Sequence, residues 1–125
     1  MAEPDKADRQ ITPAVLKLLL TAPFDPAAWA GIMGEDCHLR IANAPPAVGR
    51  EASLRQLSGF LDRVRGFGGS FCEVWRRREV VVAETDVIFA EPPDHLACIP
   101  CVIVVRTTQG LVRDLRFYLD PTPVP

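Results

Sequence analysis

Glu84 and Asp86, in the run VVVAETDVIFAE from Val80 to Glu91, are the side chains in this sequence best suited to do chemistry. Two positions apart in an extended strand, they project to the same side. On a wet face they are ordinary solvated acids. In an apolar hollow, desolvation and mutual repulsion raise the pKa of at least one of them, leaving a neutral acid beside an anionic base. That arrangement suits proton transfer on a small, largely apolar substrate. The competing reading pairs the two carboxylates with Arg40, Arg76 or Arg116, or leaves them at a solvent-filled mouth, since ion-pair networks perturb acids as often as catalysis does.

The other chemistry-bearing residues point to structure. His38 lies opposite Leu39 and Ile41 by strand parity, and His95 follows Asp94 in a turn, so the two histidines make a poor metal set. No metal site is expected. The four cysteines are Cys37, Cys72, Cys98 and Cys101. The spacing C-x-x-C in CIPC suggests redox or zinc chemistry, but residues three apart in a strand face opposite sides, so packing thiols are the better reading. Arg116, Tyr118 and Asp120 share the outward face of the last strand and suit an interface network. No glycine-rich phosphate loop, nucleophile elbow or dinucleotide fingerprint occurs, and no cofactor is expected.

These residues must be positioned by a chain of 125 residues, enough for one core. Residues 1–10 are polar and read as a flexible N-terminus, 11–121 as one domain, and 122–125 as a proline-rich tail. Ile11, Val15, Leu18 and Leu19 recur at helical spacing, and PAAWAGIMGED predicts a second short helix with Pro26 in its first turn. A third begins after Gly49, with Leu54, Leu57, Leu61 and Val64 as its apolar stripe, and ends at GFGGS. CHLRIAN is a strand ahead of this helix. SFCEVWRR, VVVAETDVIFAE, HLACIPCVIVVRT and GLVRDLRFYLD are strands after it. The predicted fold class is therefore α+β, with three helices on one face of a curved, mostly antiparallel sheet.

In the last strand Leu115, Phe117 and Leu119 must face the core, because they alternate with Arg116, Tyr118 and Asp120. The two strands before it are apolar on both sides: Ile99, Cys101, Ile103 and Val105 oppose Cys98, Pro100, Val102 and Val104. An antiparallel sheet with one wet side alternates cleanly, so something covers the outer face. The simplest cover is a second copy, giving a homodimer through that face, where Trp75 also lies. Loops and the tail are the alternative cover.

A formal charge of −2 and a single basic run, Arg76 to Arg78, argue against a nucleic acid partner. No apolar run is long enough for a membrane span, and MAEPDKADRQ does not resemble a secretion signal, so a cytoplasmic location with reduced thiols is expected.

Three stretches, DCHLRIANAPPAVGREA, AETDVIF and GLVRDLRFYLDP, resemble in order and spacing the SnoaL-like branch of the nuclear transport factor 2 (NTF2) superfamily. The resemblance spans Ile11 to Pro121 and implies a cone of helices and sheet around a hydrophobic pocket. It places Glu84 and Asp86 in that pocket, bounded by Leu39, Ile41, Ile88, Ile99, Cys101, Leu115, Phe117 and Leu119, with Trp29 as a cap. The spacing is most similar to limonene epoxide hydrolases. Of that family's Asp, Arg, Asp, Tyr and Asn, however, only one acid is retained, at Asp86. Glu84, Phe117, Leu39 and Ile41 stand at the other positions. Leu, Ile and Phe cannot activate water, so epoxide hydrolysis by that route is not expected. The ketosteroid isomerase base would fall among Ala42, Asn43 and Ala44, and the polyketide cyclase acid at about Phe117. The resemblance therefore leaves three expectations: acid/base catalysis of isomerase, cyclase or hydrolase type by Glu84 and Asp86; a non-catalytic carrier or sensor of a small hydrophobic molecule; or an assembly module whose cavity is filled by its own side chains.

Overall fold

A computed structural model describes residues 14–21, 23–67 and 73–125. The polar N-terminus, Ile11 and Cys72 lie outside the described residues. Helix α1 (residues 14–19) buries Val15 and Leu19. Helix α2 (Pro26–Ile32) starts where Asp25 Oδ1 accepts a hydrogen bond from the Ala28 N–H at 3.1 Å and Pro26 presets the first turn. It is shorter than expected: MGED opens strand β1 (Met33–Ile41). The cause is a long-range pairing, Met33 with Val112 of the last strand. Gly34 allows that approach, because a Cβ there would come within 3.2 Å of the Val112 carbonyl oxygen.

The short strand β2 (Ala47–Val48) leads into α3 (Arg50–Arg63), which buries Ser53, Leu57 and Phe60. The remaining strands are β3 (Gly66–Phe67), β4 (Glu73–Arg77), β5 (Val80–Glu91), β6 (His95–Thr108) and β7 (Leu111–Tyr118). They form one sheet in the order β2-β1-β7-β6-β5-β3, with β4 also on β5. Only β1 and β7 run parallel. The β6–β7 turn places Gln109 at φ 53° and Gly110 at φ 79°, the left-handed pair that a tight hairpin requires.

Register sorts the residues into two faces. Ala83, Ile103, Phe117 and Ile41 form one cross-strand row toward the helices, and Val81, Val105, Leu115 and Leu39 the next. Phe117 is the centre of the core, its ring 5.4 Å from Phe60 and 6.3 Å from Phe67. Removing a ring of this size from water contributes about 1.5–3 kcal/mol.

The inward set of β5 is Val81, Ala83, Thr85, Val87 and Phe89, which corrects the expected placement of Glu84, Asp86 and Ile88. Those three pair with Val102, Pro100 and Cys98 and lie on the outer face. Both faces of β5 carry enough aliphatics to be buried, so its apolar pattern does not decide between them. The charges do: inward, two carboxylates would be stripped of water with no cation to meet, and a slip of one residue exchanges the faces.

Candidate functional site

The interior that was expected to be a pocket is filled. Trp29, Leu39, Cys101, Leu115 and Phe117 are at most 1 % exposed, so almost none of their surface meets solvent. Trp29 stacks on Phe24 with centroids 6.5 Å apart and packs in the core. Ile99 is half-buried on the inward face. Among the described residues the buried polar side chains are Ser53, Thr85 and Thr107, three hydroxyls. Ser53 Oγ donates to the Cys37 carbonyl at 3.5 Å and Thr85 Oγ1 to the Asp86 carbonyl at 3.4 Å, while Thr107 Oγ1 has no partner. Burial pushes the Cys101 thiol up to about 12. It also raises the Cys37 thiol, against the opposing pull of a Ser53 hydrogen bond and of Arg50. A thiol shifted this way is not a nucleophile at neutral pH. Among the described residues no cluster of His, Cys, Asp and Glu could hold a metal ion. Among them, too, no helix is long and apolar enough to cross a membrane.

Open space lies at the rim of the cone instead. A half-open groove of about 410 Å³ lies between the end of β1, one face of α3 and the C-terminal strap. Each wall has a local cause. After Ile41 the chain turns sharply: Ala42 sits at φ 52°, its N–H donates to the Phe117 carbonyl at 2.8 Å, and the Ala44 N–H donates to the Ile41 carbonyl at 3.0 Å. Arg40 Nε closes the turn by donating to the Ala44 carbonyl at 3.2 Å. This presents Ile41, Ala42, Asn43 and Ala44 to the groove. Gln56, Gly59, Phe60 and Arg63 follow at spacings that share one helix face. A Cβ added at Gly59 would meet nothing within 4 Å, so the glycine leaves the floor open.

The strap forms the third wall. Thr122 N–H donates to Asp120 Oδ1 at 3.0 Å, and hydrogen bonding from the Thr122 side chain and then its backbone holds the Asp120 carboxyl below its ordinary value. The Val124 N–H donates to the Pro121 carbonyl at 2.9 Å, turning the only aliphatic of the tail inward to 6 % exposure. Arg63 then fastens it, Nε to the Pro125 carbonyl and Nη2 to that of Val124, both at 3.3 Å.

Of the residues expected at the site, Ile41 lines this groove. Phe117 and Leu119 border a neighbouring hollow of about 410 Å³ with Arg40, Asn43 and Arg116. Glu84, Asp86 and Ile88 border neither. Another hollow of about 400 Å³ lies between Leu19 and Phe24 on one side and Leu61, Val64 and Phe67 on the other, with Asp62 and Arg65 exposed at its rim. Gln56, Gly59, Phe60, Arg63, Pro121 and Val124 were not expected as site residues. Val124, alone and aliphatic among prolines, is the one signal that a segment of the tail must be buried. Cys98 is exposed and Cys101 buried, on opposite faces as their spacing predicts. His38 is exposed, and His95 Nδ1 lies 3.4 Å from Glu91 Oε1.

No protein-family model matches this chain, and no curated protein is significantly similar in sequence. Solved structures are similar in fold. A protein from Jannaschia sp. CCS1 assigned to the SnoaL-like polyketide cyclases superposes with a TM-score of 0.77 at 14 % identity, over 98 % of this chain and 93 % of that one. An NTF2-like protein of unknown function from Burkholderia pseudomallei K96243 gives 0.76 at 10 % identity, over 94 % of each chain. An epoxide hydrolase from M. tuberculosis, similar to limonene epoxide hydrolases, gives 0.71 at 17 % identity, over 94 % of this chain and 86 % of that one. The chain has the NTF2-like fold. That fold includes cyclases, isomerases, hydrolases and proteins of unknown function, and at these identities it carries no activity with it.

Proposed function

We propose that this protein is a non-catalytic carrier or sensor of a small, mostly apolar molecule, held in the groove between the end of β1, α3 and the strap. The observation that carries this reading is the absence, among the described residues, of a carboxylate or a low-pKa thiol facing the interior, where Ser53, Thr85 and Thr107 are the buried polar side chains. The groove offers contact surface from Ile41, Phe60, Pro121 and Val124, with the Asn43 and Gln56 amides as donors or acceptors. A few placed polar groups in an apolar wall orient a ligand without activating it. Arg63, the cation there, is already committed to the strap carbonyls.

Gly59→Trp tests the reading, because it fills the open floor from an exposed helix position. Wild-type protein is expected to bind the apolar fluorophore N-phenyl-1-naphthylamine at one site, and the variant to bind at least about tenfold more weakly, a loss of ~1.4 kcal/mol. Glu84→Gln/Asp86→Asn should bind as wild type does. Native mass spectrometry of the purified protein should show any retained molecule unchanged on incubation. Equal binding by the Gly59 variant, or chemical turnover of the retained molecule, would overturn the proposal.

A further inference from the structure

The ends of β1 and β7 bring two guanidinium groups together. Arg40 and Arg116 are register partners on these adjacent strands, and both take the outer face, since Leu39, Ile41, Leu115 and Phe117 take the inner one. Like charges on neighbouring strands repel, and both side chains are half-buried, where salt screens that repulsion less than on an open surface. Asp114 neutralises one of the two. It accepts from Arg116 Nε at 3.0 Å and from Nη2 at 3.4 Å, a fork that fixes the plane of the guanidinium. Arg40 has no acidic partner among the described residues. Its Nε donates to the Ala44 carbonyl at 3.2 Å, and neither terminal nitrogen has an acceptor among those residues. Asp120, expected beside this pair, is engaged instead by the Thr122 N–H in the strap.

The hollow of about 410 Å³ that both arginines border opens at this point. Its other polar side chains are the Asn43 amide and the Tyr118 hydroxyl, both exposed, and no carboxylate borders it. Ala42 and Leu119 add apolar surface. We propose that this hollow binds a monocarboxylate with a small apolar body, its oxygens on Arg40 and Asn43, with Arg116 and Tyr118 alongside and the body against Ala42 and Leu119. The terminal nitrogens of a guanidinium present two parallel N–H groups that match the two oxygens of a carboxylate. The bond from Nε to the Ala44 carbonyl holds Arg40 in place beforehand, so less side-chain freedom is lost on binding. One guanidinium left uncompensated at the hollow matches one negative charge. A dianion would bring its second charge toward Asp114. Gln56, Gly59 and Phe60 border the apolar groove and not this hollow, so the inference does not rest on what the groove holds.

Nuclear magnetic resonance titration of the isotopically labelled protein with benzoate tests this. The Arg40 Nε–H signal and the backbone amides of Arg40, Asn43, Tyr118 and Leu119 are expected to shift together in one saturable step, with the amides of Gly59 and Phe60 unmoved. Benzyl alcohol, a similar body without the charge, should leave the first set in place. Arg40→Gln should bind benzoate at least about tenfold more weakly than wild type, the usual loss for a hydrogen bond to a charged group. Arg40→Lys keeps the charge without the fork and should be weakened less. Arg116→Gln and Asn43→Ala should weaken binding in the same direction, and they keep the test decisive should the Arg40 variants fail to fold. Arg113→Gln, the same change of charge at an exposed β7 position outside the hollow, should bind as wild type does. Sulfate, a dianion at neutral pH, should bind more weakly than benzoate. An Arg40 signal that never shifts, or shifts equally with benzyl alcohol, would overturn the proposal. So would a folded Arg40→Gln that holds benzoate as wild type does, or tighter binding of sulfate.

Discussion

The two faces of the β5–β6–β7 sheet are built from nearly the same amino acids and have opposite fates. The inner face carries Val81, Ala83, Val87, Ile103, Leu115 and Phe117, all buried without a charge among them. The outer face carries Val82, Val102, Val104 and Ile88, equally aliphatic, mixed with Glu84, Asp86, Arg106 and Arg116. Aliphatic content therefore does not distinguish inside from outside in this protein. The charges interleaved with it do, since one misplaced carboxylate costs more than a neighbouring valine contributes.

The strongest way to break that contrast is to move an acid by one residue. Thr85→Asp places a carboxylate on the inner face, with Cys101 as its cross-strand partner. It is expected to destabilise the fold by about 3–5 kcal/mol at neutral pH, the usual result of an unpaired buried charge. Burial raises the folded-state pKa of such an acid above its unfolded value, so stability returns as the pH falls and the carboxyl takes up a proton. Urea titrations at neutral and acidic pH would show both effects. Glu84→Gln, one residue away, should shift monomer stability by no more than ~0.5 kcal/mol.

Cys98 and Cys101 sharpen the contrast on a single strand. In the folded protein Cys98 should react with a water-soluble alkylating reagent and Cys101 should not, which peptide mapping would show. The Cys101 thiol is raised from 9.0 to about 12, so its contribution to stability is fully present below the unfolded value and is lost as the pH rises toward the folded one. Wild type should lose about 1–2 kcal/mol more than Cys101→Val between neutral pH and about pH 10. Equal alkaline losses would show that the inner face admits water. The smallest effect is expected away from both faces: Gly59→Ala should stabilise α3 by about 0.5–1 kcal/mol, read as a higher thermal midpoint.

The alternation in GLVRDLRFYLD made the orientation of β7 legible, because each inward residue there is flanked by charge or by a phenol. The same test on VVVAETDVIFAE was ambiguous, since the inward set includes Ala83 and Thr85 and the outward set includes Val82 and Ile88. Register with β6 resolves it, and register is long-range information. The end of α2 was misjudged for a related reason: MGED continues a helical pattern locally and becomes strand through Val112 far along the chain. The groove was the least legible part. Its walls are Asn43, Gln56 and Val124, residues unremarkable in their own neighbourhoods and brought together by a turn, a helix and a tail that an arginine holds down.

The parallel pairing of β1 with β7 bears on how this molecule is made. Leu39 leaves the ribosome long before Leu115, its hydrogen-bonded neighbour, has been synthesised. Until the last strand arrives, β1 has an unpaired edge and Ile41 and Phe60 have no lid. The groove between β1, α3 and the strap is thus among the last features to form during biosynthesis, and a nascent chain stalled before β7 lacks it.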